Sequence, residues 1–351
     1  MNHKYKIYTE RNSLEYLEKF INLRKFSSIF ILVDENTKKY CLDILKNYLS
    51  ENIKYKIIEI NSGEENKNLE TCNLVWQKLT EYNADRRSLL INLGGGIIGD
   101  LGGFCASTFK RGISFINIPS TLMAQVDASI GGKLGINFDN LKNQIGLFST
   151  PKAVFINTEF LKTLPKREFL SGFAEIIKHG LIYDEKYLNK VLNLDFDNYE
   201  SLNEIINESI KIKSEIVLQD PHEKNIRKIL NFGHTIGHAI ETYSLTKDIK
   251  LFHGEAVAIG IICELYLSHK LLNLAIEDVE NISKFINSKY QKFNIPIDSI
   301  NEIIEIMKND KKNEVNKINF SLIDKIGTSI INQNCSNKDI IEALEYYINL
   351  S

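Results

Sequence analysis

The chain has 351 residues, of which 43% are hydrophobic and 25% are charged, and its 43 lysines and arginines against 45 aspartates and glutamates leave a net charge of −2. This length and balance predict a globular protein of two domains and exclude a small disulfide-stapled fold. A nearly neutral chain gives no reason to expect a nucleic-acid partner, so clustered basic residues are expected to contact a small anionic ligand.

Short β-branched segments alternate with helical patterns in the first half of the chain. Strands are predicted at 28–34, 54–60, 88–95, 113–119 and 153–158, and helices at 36–50 and 68–82. This alternation is typical of a parallel sheet covered by helices. Residues 1–165 are therefore predicted to form an α/β, Rossmann-like domain.

The β signal fades beyond Pro165, and amphipathic patterns dominate the remainder. Helices are predicted at 166–183, 200–218, 224–243, 254–272 and 276–291. Residues 166–351 are therefore predicted to form a second, mainly α-helical domain. No Gly/Ser-rich linker separates the halves, so we expect them to pack tightly, with the ligand site in their cleft.

Cysteine usage and the N-terminus bear on the cellular compartment. The five cysteines are scattered without a CxxC pair, which indicates neither a disulfide framework nor a thiolate zinc site. The first residues lack the apolar core of a signal peptide, and no run of about 18 apolar residues follows. We therefore expect a cytoplasmic protein with no membrane partner.

A glycine-rich segment, GGGIIGDLGG, follows the strand predicted at 88–95. Gly94, Gly96 and Gly99 satisfy GxGxxG at a strand-to-helix junction, where a pyrophosphate can meet backbone N–H groups. The same pattern is also typical of a tight turn needed only for packing. The acidic residue that a standard Rossmann fold has about 20 residues downstream is missing. Polar candidates for the adenosine end of a dinucleotide lie upstream instead, at Asp34, Glu64 and Lys67.

Polar residues recur at helical spacing within EKNIRKILNFGHTIGHAIE. Steps of four, three, four and three put five of them on one face of the predicted helix: Arg227, Asn231, His234, His238 and Glu241. Such a stripe is ordinarily a solvated surface, but two imidazoles, an amide and a guanidinium are ligand and recognition groups. His234 and His238 could bind one zinc ion, although the glutamate of an HExxH helix is missing.

A third imidazole and a carboxylate occur in other predicted helices. His253 opens FHGEAVAIG, and Glu175 and Lys178 lie one turn apart in GFAEIIKHG. A carboxylate combined with histidines suits a catalytic metal site that keeps an open position. The remaining histidines lack such company and are predicted to be structural or at the surface; they are His3, His179, His222 and His269.

Several blocks of the chain, in order between Asp34 and Gly327, resemble the 3-dehydroquinate synthase family. They include SGEENK, GGGIIGDLGGF, KRGISFINIPSTLMAQVDASIGGKLGIN, LNFGHTIGHAIE and HGEAVAIG. The resemblance implies an N-terminal NAD-binding domain, a C-terminal helical domain with one divalent metal, usually zinc with cobalt as the alternative, and a homodimer. The reaction it implies is conversion of 3-deoxy-D-arabino-heptulosonate 7-phosphate to 3-dehydroquinate and phosphate, in the shikimate pathway.

Carried over position by position, the resemblance makes Glu175, His234 and His253 the metal ligands, and His238 a substrate or proton-relay residue instead. The cofactor contacts it implies are Asp34, Glu64, Lys67, Gly95, Gly96, Asp100, Ser120, Thr121, Lys142 and Thr163. The substrate and catalytic groups it implies are Asp127, Lys133, Asn143, Lys178, Lys213, Glu223, Arg227, Asn231, His238 and Lys311. It further implies that Arg111 reaches the neighbouring subunit's site.

Three positions depart from the family pattern. Ser120 stands where threonine is common, Leu141 replaces a glycine, and Asn157 replaces an aspartate. We expect these changes to affect loop shape and cofactor contacts, since the metal and anion groups are intact.

Three alternatives stay open at this point: a metal-dependent NAD polyol dehydrogenase, a related sugar-phosphate cyclase, and a non-catalytic binding protein. A dehydrogenase would not need the phosphate contacts predicted at Lys133, Asn143 and Lys311. The related cyclases act on sugars that lack a carboxylate. Arg227 and Lys213 suit a substrate that carries one, which argues against those cyclases. Loss of the three metal ligands would mark a non-catalytic protein, and all three are present.

Overall fold

The computed structural model describes residues 5–9, 12–139, 141–196, 198–308 and 318–350. The chain divides into two compact units, Met1–Pro165 and Lys166–Ser351, called unit 1 and unit 2 below. Among the described residues, no helix combines the length and apolar character needed to cross a bilayer.

Unit 1 is a parallel sheet with helices. Its strands are β1 (Lys6–Tyr8), β2 (Ile29–Asp34), β3 (Lys56–Ile60), β4 (Leu89–Gly94), β5 (Ser114–Pro119), β6 (Lys133–Phe138), β7 (Leu141–Phe148) and β8 (Ala153–Phe155). Its helices are α1 (Glu15–Arg24), α2 (Glu35–Tyr40), α3 (Leu42–Lys46), α4 (Leu69–Glu81) and α5 (Gly96–Thr108). Six strands pair in parallel in the order β1-β8-β5-β4-β2-β3, while β6 and β7 form an antiparallel hairpin. The predicted α/β fold is confirmed.

Both faces of this sheet are buried, which explains the unbroken apolar runs of its strands. On β2, Phe30 and Leu32 contribute to the core on one face, and Ile31 and Val33 to the core on the other. The helix predicted at 36–50 is wrong in one respect, because two short helices separated at Cys41 occupy that segment.

The carboxyl ends of neighbouring parallel strands lie along one edge of the sheet in unit 1. Asp34 ends β2, Gly94 ends β4 and Pro119 ends β5. Helix α5 starts directly after β4 and packs closely against it: a Cβ on Gly102 would lie 2.1 Å from Oδ1 of Asn92. Gly102, inside α5, therefore allows the helix to approach the sheet.

Unit 2 is mainly helical. Its helices are α6 (Lys166–Tyr183), α7 (Glu185–Leu192), α8 (Tyr199–Gln219), α9 (His234–Ser244), α10 (His253–Leu272), α11 (Ile276–Lys289), α12 (Ile300–Lys308) and α13 (Asn337–Asn349). An antiparallel pair of strands, β9 (Asn319–Lys325) and β10 (Thr328–Asn334), was not expected from the fading β signal.

The helix predicted at 224–243 is not continuous. A 3₁₀ turn covers Ile226–Asn231, and α9 begins only at His234. Gly233 between them has φ 78, a left-handed conformation that a glycine adopts at little cost and that ends a helical path. The prediction that Arg227, Asn231 and the later polar residues share one helical face is therefore wrong.

Candidate active site

Three helices of unit 2 bring a carboxylate and three imidazoles together. Glu175 lies in the middle of α6, His234 and His238 lie in the first turns of α9, and His253 is the first residue of α10. The three imidazole rings have centroids 5.3, 5.4 and 5.6 Å apart. The imidazoles also form a geometrically possible ligand group, with ring nitrogens within 4.8 Å of one another.

The Glu175 carboxylate lies beside two of these imidazoles. Its Oε1 is 3.3 Å from Nε2 of His234 and 3.8 Å from Nε2 of His253. Two tetrahedral ligand atoms of one zinc ion are about 3.3 Å apart, given metal–ligand distances of about 2.0–2.2 Å. The Glu175 side chain is buried; its Oε2 forms an ion pair with the Lys178 ammonium, whereas its Oε1 faces the two imidazole nitrogens. A buried anion of this kind fits a bound cation.

The two imidazoles beside Glu175 are held by their other nitrogens. Nδ1 of His234 is 3.1 Å from the Phe232 carbonyl oxygen, and Nδ1 of His253 is 3.0 Å from Oε2 of Glu241. A carbonyl and a carboxylate accept hydrogen bonds, which assigns the proton of each neutral ring to Nδ1. The lone pair of each ring is then on Nε2, the atom nearer Glu175, as a metal ligand requires.

Burial and the Lys178 charge determine the protonation states of Glu175 and His234. Burial raises the pKa of the Glu175 carboxyl, but the Lys178 ammonium holds it well below its usual range. Burial, and then the Lys178 charge, lower the pKa of His234 to about 3. An ionised carboxylate and a neutral imidazole are the forms that bind divalent metals.

Four lysine and arginine side chains are buried in the described part of the chain, and all four are predicted site residues. They are Lys67, Lys178, Lys213 and Arg227. A buried cation is costly unless it is paired with an anion. Lys178 forms an ion pair with Glu175 one turn away on α6, and Arg227 is held by the loop that precedes it.

The loop before the 3₁₀ turn is organised by Asp220, which sequence reasoning missed. Its carboxylate accepts hydrogen bonds from the backbone N–H groups of Lys224, Asn225 and Arg227, at 3.1, 2.6 and 3.2 Å. Nη1 of Arg227 donates to the Pro221 carbonyl at 2.6 Å. The same loop carries another predicted residue, Glu223, whose Oε1 accepts from Asn231 at 3.0 Å.

In unit 1, a second polar cluster includes several predicted cofactor and substrate residues. Nζ of Lys67 donates to Oδ2 of Asp100 and to Oδ1 of Asn143, each at 2.6 Å. Asn137 links this cluster to Glu64, since its Nδ2 donates to Glu64 Oε1 at 2.8 Å and its Oδ1 accepts from the Asn143 backbone at 2.9 Å. Burial raises the pKa of Asp100, and the Lys67 ammonium opposes that rise.

The glycine loop lies at the carboxyl edge of the same sheet. Gly94 ends β4, Gly95 precedes α5, and a Cβ on Gly95 would lie 3.1 Å from the Thr121 side chain. The Ser120 N–H donates to the Gly94 carbonyl at 3.0 Å, which joins the two loops. Gly95 and Gly96 carry no side chains at the start of α5, which suits close approach of a phosphate group to the backbone N–H groups there.

Other predicted residues lie outside these clusters. Asp34 caps α2 by accepting from the Thr37 N–H at 2.7 Å, and the Thr163 hydroxyl donates to Phe160. Arg111, Lys133 and Lys142 are exposed, and Asp127 lies in a π-helical turn, Ala124–Ala128. Lys311 and His3 lie outside the described residues.

The departures from the family pattern have local structural consequences. Leu141 is 53% exposed at the start of β7, so the hairpin turn tolerates a side chain there. Asn157 accepts from the Glu159 N–H at 2.8 Å and so caps a 3₁₀ turn, a bond that an aspartate would also make.

Sequence reasoning also missed Glu264, a fully buried carboxylate on α10. Its oxygens accept hydrogen bonds from the backbone at the start of α9. A single acidic residue within the apolar segment AIGIICELYL was the available signal, because a charged side chain is rarely fully buried unless specific partners hold it.

The comparisons with known proteins agree with the resemblance noted above. The families described as 3-dehydroquinate synthase N-terminal and 3-dehydroquinate synthase C-terminal match residues 57–171 and 172–313. A 3-dehydroquinate synthase of Parabacteroides distasonis is 44% identical over 333 residues, covering 94% of each chain.

Solved structures of related cyclases share the fold. A 2-deoxy-scyllo-inosose synthase complexed with carbaglucose-6-phosphate, NAD⁺ and Co²⁺ is 25% identical with a TM-score of 0.82, covering 97% of this chain and 95% of that one. A 2-epi-5-epi-valiolone synthase from Streptomyces hygroscopicus, with NAD⁺ and Zn²⁺ bound, is 21% identical with a TM-score of 0.86, covering 99% and 97%.

Proposed function

Because the chain belongs to the 3-dehydroquinate synthase family, we propose that its two polar clusters serve that reaction, with a zinc ion in unit 2 and NAD in unit 1. The enzyme is a lyase that converts 3-deoxy-D-arabino-heptulosonate 7-phosphate to 3-dehydroquinate and phosphate. Transient oxidation, phosphate elimination, reduction, ring opening and aldol closure follow one another without net redox change. The observation that carries the proposal is the convergence of Glu175, His234 and His253.

In the proposed site, Glu175, His234 and His253 hold the metal, and His238 is left for the substrate. When bound, the metal polarises a substrate hydroxyl and NAD reversibly accepts a hydride. One carboxylate and two neutral imidazoles leave coordination positions for substrate oxygens, as catalytic sites require. The His253 side chain is 36% exposed, whereas the Glu175 side chain is 1% exposed. The proposed site is therefore buried at Glu175 and accessible at His253, which suits entry of a substrate.

The buried cations of unit 2 suit an anionic substrate. Arg227 presents a planar fork of donors that matches a carboxylate, and Lys213 adds a second positive charge. Asp220 orients this part of the chain, because its Oδ2 accepts a hydrogen bond from the Arg227 backbone N–H. We assign these two cations to the substrate carboxylate.

Proton movement and hydroxyl binding are assigned to a different set of groups. Glu223 is held by Asn231, so its carboxylate is oriented before substrate arrives. Lys178 is buried beside Glu175 and can donate to a substrate hydroxyl. With Asp127 of unit 1, these are the proposed relay residues.

In unit 1, the glycine loop is proposed to bind the pyrophosphate of NAD. The Lys67–Asp100 pair is proposed to contact the same cofactor. The Asn143 amide packs over Gly135, where a Cβ would lie 3.5 Å from it. Lys133 is two residues earlier on β6 and so shares the face of Gly135. Lys133 and Asn143 therefore suit one phosphate group, with Lys311 as a further predicted contact.

We propose a homodimer in which Arg111 acts at the neighbouring subunit's site. The Arg111 side chain is exposed, and its φ of 70 holds the chain in a left-handed turn at the end of α5. An exposed guanidinium suits contact with an anion outside its own unit.

The decisive experiment is phosphate release from 3-deoxy-D-arabino-heptulosonate 7-phosphate with NAD⁺ and zinc, with the product identified by mass. We expect equal amounts of phosphate and 3-dehydroquinate and no accumulation of NADH. Steady NADH formation with glycerol, without phosphate release from the heptulosonate, would instead support a polyol dehydrogenase.

A further inference from the structure

The start of helix α9 is capped by a buried carboxylate from helix α10. Oε2 of Glu264 accepts from the Gly233 N–H at 2.6 Å, and Oε1 accepts from the Thr235 and Ile236 N–H groups at 3.1 and 3.2 Å. The Glu264 side chain has no solvent exposure. Burying a carboxylate costs free energy unless partners stabilise its charge, and here the partners are these three backbone N–H groups.

Helix α9 starts at a proposed metal ligand, which creates an electrostatic conflict. The N-terminus of a helix carries roughly half a positive charge, spread over its unpaired N–H groups. His234 is the first residue of α9, so that positive end lies next to the position of a divalent cation. A neutral cap would satisfy the N–H groups but would leave the repulsion between the helix end and the cation. The Glu264 carboxylate accepts the hydrogen bonds and also supplies a negative charge that offsets this repulsion.

The same contacts also determine the orientation of His234. Glu264 binds the N–H groups on both sides of His234, at Gly233 and Thr235. The Phe232 carbonyl, one residue before Gly233, accepts from Nδ1 of His234 at 3.1 Å. Fixing this turn therefore fixes the carbonyl that holds the ring, and with it the direction of Nε2 toward Glu175.

Close packing between the two helices makes this contact possible. A Cβ on Gly260 would lie 1.9 Å from the Gly233 carbonyl oxygen, so α10 can approach the turn only with a glycine there. Glu264 lies one helical turn after Gly260, on the same side of α10. The turn is therefore held by backbone contact at one point and by the carboxylate at the next.

We propose that Glu264 is a positioning residue that preorganises His234 for metal binding and offsets the positive end of α9. This inference rests on the proposed metal site. It concerns a residue that touches neither metal nor substrate, so its effect must appear first in metal affinity.

The test is Glu264→Gln, which keeps the size of the side chain but removes its charge and turns one acceptor into a donor. We expect zinc affinity, measured by competition with a chromophoric chelator, to fall about 10- to 100-fold, as for other residues that orient metal ligands. The matched control is Asp184→Asn on the same unit. Asp184 caps α7 by accepting from the Tyr187 N–H at 3.0 Å and is not among the metal-site residues. The control should lower the melting temperature without changing zinc affinity.

Two outcomes separate this inference from the metal proposal itself. Failure of the unchanged protein to bind zinc would overturn the metal site, whereas wild-type zinc affinity in Glu264→Gln would overturn only the role of Glu264. If Glu264→Gln does not fold, hydrogen exchange of the unchanged protein decides. The Gly233, Thr235 and Ile236 amides should already be protected without zinc; protection that arises only after zinc is added would contradict preorganisation.

Discussion

His253 points its Nδ1 at Oε2 of Glu241, 3.0 Å away, and this contact turns its Nε2 toward the Glu175 carboxylate. The two residues are twelve positions apart, one in α9 and the other at the start of α10. Glu241 thereby does for His253 what the Phe232 carbonyl does for His234. Each proposed imidazole ligand has a fixed tautomer before any ion binds.

Replacing Glu241 by glutamine should weaken metal binding. The amide can donate to Nδ1, which would move the ring proton to Nε2 and block the lone pair that the metal needs. We expect zinc affinity to fall about 10- to 100-fold, with recovery of turnover at high zinc concentration. The control is Glu215→Gln, since Glu215 accepts from the Tyr183 hydroxyl at 2.8 Å in the same unit. Equal zinc affinity in both variants would contradict the role given to Glu241.

Removing the His234 imidazole should separate metal binding from cofactor binding. His234→Ala is expected to lose bound zinc and to lower kcat by at least about 1,000-fold, because the ion's stabilisation of charge is lost. NAD affinity, measured by titration, should stay within about twofold, since the proposed cofactor residues belong to unit 1. His269→Ala is the control, because His269 lies near the other end of α10 and bonds to the Leu274 carbonyl. Full activity of metal-stripped His234→Ala would refute the ligand set.

If Arg111 completes a neighbouring site, two inactive variants should complement each other. In a mixed dimer of Arg111→Ala and His234→Ala chains, one site has both the intact imidazole and the partner's intact arginine. Random exchange of equal amounts should therefore restore about a quarter of the unmixed wild-type activity. Activity is measured before and after the mixed chains exchange. No recovery from two inactive variants, with subunit exchange demonstrated by mass, would place Arg111 at its own subunit's site, whereas an active Arg111→Ala variant would place it outside the reaction.

Much of the fold could be predicted because burial leaves a clear pattern. The strand at 29–34 is apolar at nearly every position since both faces of the sheet are covered. The break before His234 could not be predicted in this way, because a single left-handed glycine does not interrupt an apolar periodicity of 3.6 residues. Gly233 was visible in the sequence, but its φ was not.

The candidate site, like the fold, could be predicted from the sequence only in part. Spacing alone favoured His234 and His238 as a metal pair, since two imidazoles one turn apart lie on one helical face. Residue chemistry suggested Glu175 and His253 as further candidates, but only the resemblance made them ligands in place of His238, because they lie about 60 and 20 positions from His234 and distance in sequence carries no sign of contact in space. Glu264 escaped both routes, because its role depends on how closely α10 approaches the next helix.

The buried Lys67 ammonium is expected to support both folding and cofactor binding. It bridges Asp100 and Asn143, and its side chain is 6% exposed. Lys67→Met leaves the Asp100 carboxylate without its cation and should destabilise the chain by about 3 kcal/mol. Adding Asp100→Asn should recover part of that loss, and a double-mutant cycle of urea unfolding measures the coupling. NAD affinity should fall in every variant of the cycle; wild-type NAD affinity in Lys67→Met would remove Lys67 from the cofactor site.

The ionised Asp339 carboxylate is expected to stabilise unit 2, and this contribution to the free energy of unfolding should be lost in acid over a defined pH range. Its pKa is lowered to about 2, first by Lys270, whose Nζ is 2.8 Å from Oδ1, and then by Ser336, whose hydroxyl donates to Oδ2 at 2.6 Å. A folded-state pKa below the unfolded value of about 3.9 gives stability that is present above pH 4 and is lost as pH falls toward 2. At pH 5, Asp339→Asn should therefore cost about 1 kcal/mol after allowance for solvent screening, and clearly less at pH 3. Urea midpoints at both values test this, with Glu302→Gln on the exposed side of α12 as control; an Asp339→Asn deficit that is the same at both pH values would contradict the assigned shift.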